Sequence, residues 1–427
     1  MEIETQEITA ELLNAIIDKN EKSRRRYDKL YNYFIGRHEA IENRYDDGYR
    51  NPQKVVVNHA RYITETASNF LIGQKIDIRS EKNIGAIIDE FNYQTIDEVN
   101  LDLAISQSWA GKALEYTFAD EDSNIHTVKI DVRNGVLVRD NTVKHEKLFG
   151  MFYEIHDKHK IVTLADSEKV YEYEIKDNVL TMIKEDNHFF GEVPFVEIKN
   201  NSEKIGDFES VISLIDAYDF LQSDRVNDKE QLVDAILKIK GFQLDAETIG
   251  KIKQYRVMEM ASDEDAEYLT KSLNENEVEV LRKSLETDIH KISMVPNMSD
   301  ENFANNLSGV AMKYKLLAFE QLTKNKERYF EKALKERIKL YNNFLVTKGK
   351  ASLVSADEIE IKFSRNLPIN DYEIAQTIAL LRGIVDDETL IQKLSFVDDA
   401  SKIVKLVGEK EETEMKRYLG TYDDIED

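Results

Sequence analysis

His156 and His159, in "HDKH", stand at a spacing at which two imidazoles can share a metal ion. They lie among polar neighbours between two alternating apolar segments, with no third ligand nearby, so the spacing reads as a hairpin turn. Carboxylates are abundant, 82 Asp and Glu in 427 residues, but no pair stands out as a general acid and base. Neither a G-x-x-x-x-G-K-[ST] phosphate loop nor G-x-G-x-x-G occurs. H-E-x-x-H and G-x-S-x-G are also missing from the sequence. The chain has no cysteine, which excludes disulfides and thiolate metal sites and fits a reducing compartment. The expectation is no catalysis, no cofactor and no metal, leaving a structural or binding role.

A second stretch needs a different explanation. "VPNMSDENFANNLSGVAMKY", Val295–Tyr314, is polar and lies between two long helical patterns. A solvated connector could be much shorter. Ser308 is a candidate cap for the helix that follows.

These segments must be positioned by the elements around them. Residues Thr9–Arg37 read as a helix on Leu12, Leu13, Ile16, Ile17, Tyr27, Leu30 and Phe34. It contains the basic run "KSRRR", Lys22–Arg26, either a solvated face or a contact for a polyanion or a subunit. Val55–Ile78 reads as a helix capped by Asn58 and ended by Gly73, then a strand, "KIDI". Trp109 closes a further helical region from Ile84 and is expected in the core. From Gly111 to Ile198 about eight alternating segments, separated by turn signals such as "ADEDSN" and "RNG", predict antiparallel strands. Strands interleaved with helices make the fold class α+β.

Asp207–Gln231 reads as a helix with Val211, Leu214, Ile215, Tyr218 and Leu221 on one face. Its other face carries Asp216, Asp219, Asp224, Asn227 and Asp228 and is expected to be solvated. A compact mixed insertion spans Ala235–Leu273. The next helix opens at Asn274, with Glu277 at capping-box spacing. Its stripe is Val278, Leu281, Leu285, Ile289 and Ile292, and Pro296 ends it. After the polar loop, helical pattern runs from Gly309 to about Leu345, on the order of 50 Å at about 1.5 Å per residue. That length suggests an assembly element. "EIEIKFSRNLP" reads as one strand, and short helices close the chain from Asp371.

Net charge is −24, with 41% hydrophobic and 33% charged residues. Such a chain lacks the basic excess that phosphate binding uses. No run of about 18 apolar residues exists, so no membrane span is expected, and the acidic N-terminus is not a signal peptide. The length suggests two to four subdomains. The acid-rich tail from Gly408 is expected to fray.

Five stretches together resemble the portal proteins of tailed bacteriophages, in the branch typical of long-tailed phages of Gram-positive hosts. They are "VVVNHARYITETASNFLIGQKI" (Val55–Ile76), "FGEVPFVEIKNN" (Phe190–Asn201), "SLIDAYDFLQSDRVNDKEQLVDAILKIKG" (Ser213–Gly241), "VPNMSDENFANNLSGVAMKYKL" (Val295–Leu316) and "FSRNLPIN" (Phe363–Asn370). The resemblance covers about Asn51 to Asp371.

It implies a portal-type subunit with a helical stem and crown, an α/β wing with antiparallel strands and a small mixed α/β clip. The implied boundaries are a wing over 1–206, stem helices over 207–234 and 274–294, and a clip over 235–273. A tunnel loop follows over 295–308, then the long wing helix and wing strand over 309–370, and a crown with acidic tail over 371–427. The family implies a homo-oligomeric ring, usually a dodecamer, at one capsid vertex of the virion, assembled in the host bacterial cytoplasm. Double-stranded DNA passes through its channel during packaging and ejection. The implied partners are the terminase large subunit, a head-completion adaptor, and the major capsid and scaffolding proteins, with no membrane. The ring is also implied to initiate procapsid assembly.

Carried onto this sequence, the channel-facing residues are Asn297, Met298, Ser299, Asp300, Glu301, Asn302, Asn305 and Asn306. The stem subunit interface falls on Leu214, Tyr218, Leu221, Leu281, Leu285 and Ile289. Partner binding by the clip falls on Lys240, Phe242, Tyr255, Met258 and Tyr268. Acidic and neutral loop residues suit a channel in which DNA slides, since each cation on a phosphate adds grip. Two other classes compete: a scaffolding or minor head protein without a channel, and an enzyme using carboxylates and a divalent metal.

Overall fold

The computed structural model describes residues 2–3, 7–44, 52–157, 159–233, 236–240, 265–269, 275–299, 309–365, 371–392, 394, 397 and 400–410. Helix α1 (Ala10–Phe34) begins where the Thr9 hydroxyl accepts the Leu12 N–H (3.2 Å), and it buries Leu13, Ile16, Ile17, Tyr27, Leu30 and Tyr33. The short α2 (Glu39–Glu42) follows. Helix α3 (His59–Ile72) is capped as expected, the Asn58 side chain accepting the Arg61 N–H at 2.9 Å. Gly73 does hold the C-cap, but in the right-handed region (φ −73), so the left-handed cap expected of a glycine does not form.

The helical region after it is two helices, α4 (Gly85–Tyr93) and α5 (Ile96–Ala110), broken at Thr95 with φ 51. Trp109 is buried near the end of α5. Gly111 then turns the chain with φ +79, and a Cβ there would lie 2.0 Å from the Lys204 carbonyl oxygen.

The eight expected strands form two sheets. Strands β3 (Lys112–Ala119), β4 (Ile125–Ile130) and β10 (Phe195–Lys199) make a three-stranded sheet in the order β10-β3-β4. Strands β5 (Gly135–Asp140), β6 (Lys147–His156), β7 (His159–Ala165), β8 (Lys169–Lys176) and β9 (Val179–Asn187) form an antiparallel meander. A two-residue strand the sequence did not announce, β1 (Glu2–Ile3), adds in parallel to β5. One core joins α1 to the meander through Leu13, Ile16, Val138, Met151 and Leu164. Short β2 (Asp77–Ser80) pairs with β13 (Ile359–Lys362), so the predicted Glu358–Pro368 strand is regular only over those four residues.

Helices α6 (Ile212–Val233), entered through a 3-10 turn at Glu209–Val211, and α7 (Glu275–Ser293) flank strands β11 (Ile236–Lys240) and β12 (Asp265–Leu269), which pair antiparallel. The single long helix expected after the loop is interrupted: α8 (Gly309–Lys315) stops and α9 (Leu317–Thr347) starts anew, with Leu316 in a turn. Helix α9 buries Phe330, Leu334, Ile338, Tyr341, Phe344 and Leu345 in a second core with α3, α4, α5 and β10. Two buried ion pairs tie it in. Arg337 meets Glu115 on β3, and Lys326 meets Asp207, which also accepts from Ser108 (2.6 Å) and Asn200 (2.8 Å).

The chain divides into two compact units, Met1–Met298 with Leu317–Arg365, and Ser299–Leu316 with Asn366–Asp427. In the second unit α10 (Asp371–Leu381) contacts α11 (Asp387–Ile391), capped by Asp386, and a helical stretch covers 400–410. The tail from 411 lies outside the described residues.

Candidate stem and loop-root surfaces

Helices α6 and α7 are joined by a ladder of polar contacts. Arg282 donates to the Tyr218 hydroxyl (3.1 Å), Arg225 to Glu279 (3.3 Å) and Glu275 (3.4 Å), and Lys229 pairs with Glu275. Numbers fall on α7 as they rise on α6, so the two helices run antiparallel. Arg282 also binds Glu286 (2.7 Å) and Glu279 (2.8 Å), and its hydrogen bond holds the Glu279 carboxyl down to about 2.

The residues carried onto the stem are covered unevenly. Tyr218 and Ile289 are buried, Leu214, Leu221 and Leu285 are half-buried, and Leu281 is 50% exposed. Val280 (69%) and Ile292 (51%) extend this exposed apolar surface along α7.

The acidic face of α6 departs in part from the expectation of a solvated surface: Asp224 is exposed as expected, but its neighbours are engaged. Asp216 accepts from the Tyr33 hydroxyl (2.6 Å), and Asp219, wholly buried, accepts from the Val57 N–H (2.9 Å) and meets His38. Ser223 accepts from the Val55 N–H (3.0 Å), Asn227 from the Gln53 N–H (2.8 Å) and Glu230 from the Gln53 side chain (2.9 Å). These positions recur at three- and four-residue steps, so one polar stripe fastens residues 33–57 along the helix. Buried Asp219 has a partner at each carboxylate oxygen, the Val57 N–H at one and the His38 ring at the other. The "KSRRR" run is partly engaged within the chain too: Arg26 is bidentate to Glu209, and Arg24 pairs with Glu21.

The loop leaves α7 through a fixed root. Helix α7 ends at Ser293, before the predicted Pro296, because Met294 adopts φ 59. Val295 is buried, and its carbonyl meets His290 Nδ1 (2.9 Å). Asn297 donates to Glu286 (2.9 Å). The Tyr62 hydroxyl, from α3, accepts the Met298 N–H (2.7 Å) and donates to the Pro296 carbonyl (3.3 Å). His290 packs edge-on against Tyr62 (5.5 Å) and His59 (5.6 Å), and His59 against Tyr218 (4.8 Å). Burial pushes the His59 imidazole down to about 4, with neighbouring His290 adding to the shift, and burial lowers His290 as well.

Of the residues carried onto the loop, Asn297, Met298 and Ser299 are described, Met298 being 40% exposed. Asp300, Glu301, Asn302, Asn305 and Asn306 lie outside the described residues, as does the Ser308 cap. In the insertion, Lys240 is exposed on β11 and Tyr268 stands opposite Leu237 on β12. Phe242, Tyr255 and Met258 lie outside the described residues. His156 and His159 face each other across the β6–β7 hairpin, their rings stacked at 5.4 Å. Among the described residues no group of three or more His, Asp or Glu side chains is placed to hold a metal ion.

Residues 13–417 match the family model described as phage portal protein, SPP1 Gp6-like. The chain belongs to this family. It is similar to the portal protein of Bacillus phage SPP1, 22% identical over 383 residues that cover 84% of this chain and 75% of the relative. It is also similar to the portal protein of Clostridium phage phiCD119, 24% identical over 247 residues that cover 56% of this chain and 53% of that relative, about half its length. In this member of the phage portal family, the root residues Tyr62, His59, Glu286 and His290 were not singled out as functional from the sequence. Only the helical spacing of Tyr62 was readable, since its hydroxyl reaches a backbone 236 residues away. No helix among the described residues is long and apolar enough to cross a membrane.

Proposed function

We propose that this chain is the subunit of a ring at one capsid vertex, with double-stranded DNA passing through its channel during packaging and ejection. The observation that carries the reading is the family match over residues 13–417. Its role is structural rather than catalytic. The stem helices α6 and α7 form the wall between neighbouring subunits, and the half-exposed Leu281 and Ile292 are the apolar surface a neighbour covers. The loop that starts at the Tyr62 root faces the duplex, with Asp300 and Glu301 keeping the contact weak. The β11–β12 insertion docks the terminase large subunit during packaging and a head-completion adaptor afterwards, its short strands offering edges for pairing. Capsid and scaffolding proteins contact the wing during assembly of the procapsid. Relatives from Bacillus and Clostridium phages support a phage of a Gram-positive host as the source.

The test is the mass and negative-stain image of the purified chain, alone and coexpressed with its capsid proteins. A hollow ring is expected. A chain that stays monomeric or dimeric even inside assembled capsids sinks the reading. Asp300→Lys with Glu301→Lys should slow or stall packaging in rings that still assemble; packaging at the normal rate and extent would count against the loop assignment.

A further inference from the structure

Helix α9 carries seven cations and four glutamates between Leu317 and Thr347. All four glutamates are engaged: Glu320 and Glu327 by Arg365 (3.2 and 2.5 Å), Glu331 by Lys335 (3.0 Å) and Glu336 by Lys147 (2.8 Å). Four cations are engaged as well, Lys326 by Asp207, Arg337 by Glu115, Lys335 by Glu331 and Lys339 by Glu192. Lys324, Arg328 and Lys332 remain. All three are exposed, and none has an ion-pair partner among the described residues.

Their spacing is i, i+4, i+8, which places them on one stripe of the helix, on the side opposite buried Phe330, Leu334 and Ile338. They are separated by about 6 Å along the axis and span about 12 Å. Lys335 and Lys339 continue the stripe. Arg328, Lys332, Lys335 and Lys339 line a shallow cleft of about 350 Å³ together with Glu331, Glu336 and Ala356, four cations to two carboxylates, both of which are already paired. In a chain of net charge −24 this is a local reversal of sign.

We infer that this outer face of α9 is a binding surface for the phosphate backbone of duplex DNA, separate from the tunnel loop; the inference rests on the reading that the chain handles DNA. Over about 12 Å a duplex presents about seven phosphates, more than enough for three cations. Arg328 adds a planar fork suited to paired phosphate oxygens. An acidic protein surface is the competing ligand. Protein interfaces are depleted of lysine at their centres and anchored by aromatic side chains. Half-buried Tyr329 and Ala356 stand at its margins, but the positions of the stripe itself, Lys324, Arg328, Lys332, Lys335 and Lys339, are all cationic, so the composition favours phosphate.

The experiment titrates the full-length chain with a fluorescent mixed-sequence duplex of about 20 base pairs between 50 and 200 mM salt, beside Lys324→Gln/Arg328→Gln/Lys332→Gln. Three phosphate contacts contribute a slope of about −2.7 in log affinity against log salt, about 40-fold across this range. The triple variant should lose that contribution while keeping the wild-type circular dichroism and melting temperature. The inference is overturned if the wild-type chain does not bind the duplex at 50 mM salt. Equal affinity and slope in the variant overturn it too, as does polyglutamate competing as well as duplex at equal charge. Mass is measured in parallel. A variant that loses the ring but keeps duplex binding marks the face as a subunit contact and also overturns the inference. A wild-type chain that never forms a ring, even with its capsid proteins, fails the portal reading instead, and the duplex titration answers separately.

Discussion

The guanidinium of Arg337, on α9, lies against the carboxylate of Glu115, on β3, and both side chains are sealed from solvent. The Arg337 Nε donates to both carboxylate oxygens (3.0 and 3.1 Å), and Nη1 donates to Asn100 on α5 (2.7 Å). One side chain therefore joins a long helix, a sheet and a central helix. Arg337→Met leaves Glu115 buried without its counter-charge and should cost about 3–5 kcal/mol. Arg337→Met with Glu115→Leu should recover much of that loss. Chemical denaturation of the two variants checks it. A double variant no more stable than the single one would show that the fork has no apolar substitute here.

Gly111 offers a sharper steric test. Alanine there meets both a left-handed φ and the Lys204 backbone at 2.0 Å, whereas Gly349, φ +69, has nothing within 4 Å. Gly349→Ala should cost about 1 kcal/mol from backbone strain alone. Gly111→Ala should cost at least about 2–3 kcal/mol more, since backbone must move. Equal melting temperatures for the two variants would remove the close approach as an explanation.

Acid should weaken the loop root before it reaches the carboxylates. The folded value of His59, about 4, lies below the ordinary histidine value of 6.5. Between those two values the unfolded chain takes up a proton that the folded chain refuses. Stability from this group is thus complete above about pH 6.5 and falls as pH drops, by about 2 kcal/mol at pH 5 and about 3 kcal/mol at pH 4. Glu197 is held near 2, so it withdraws its own contribution lower, between its unfolded value and about pH 2. Thermal melts from pH 7 to 4 should show the earlier loss, and His59→Gln should flatten it. A wild-type curve flat between pH 6.5 and 5 would contradict this.

Tyr62→Phe removes only a hydroxyl. It leaves the Met298 N–H without its partner and frees the Pro296 carbonyl. A lost exposed hydrogen bond of about 0.5–1.5 kcal/mol corresponds to about 2–13-fold faster local opening. Amide hydrogen exchange at Met298 should accelerate by that factor while exchange at Ile289, nine residues earlier and inside α7, stays put. Unchanged protection at Met298 would place the anchor elsewhere.

Much of this fold was legible because its signals are local. Thr9 and Asn58 cap helices within three residues, and the alternation from Gly111 to Ile198 needs only neighbouring positions. The HDKH hairpin followed from polar residues between two apolar runs. What escaped depends on partners distant in sequence. Asp219 read as one carboxylate on a wet face, and nothing nearby announces that His38 and Val57 surround it. The hydroxyl of Tyr62 looked like part of an apolar stripe. The break at Leu316 has no proline or glycine to mark it, and a two-residue strand such as β1 is too short to show a period. The loop's place in the chain was readable, whereas its root was built by side chains from α3 and α7.

The polar stripe of α6 makes that helix behave as a keyed shaft. Tyr33 holds it at Asp216, His38 and Val57 at Asp219, Val55 at Ser223 and Gln53 at Asn227. Advancing its register by one residue would swing the stripe by about 100° and break all of these contacts together. Torque applied to α6 is therefore passed on to the segment that runs from the end of α1 to the start of α3, with no slip at the join.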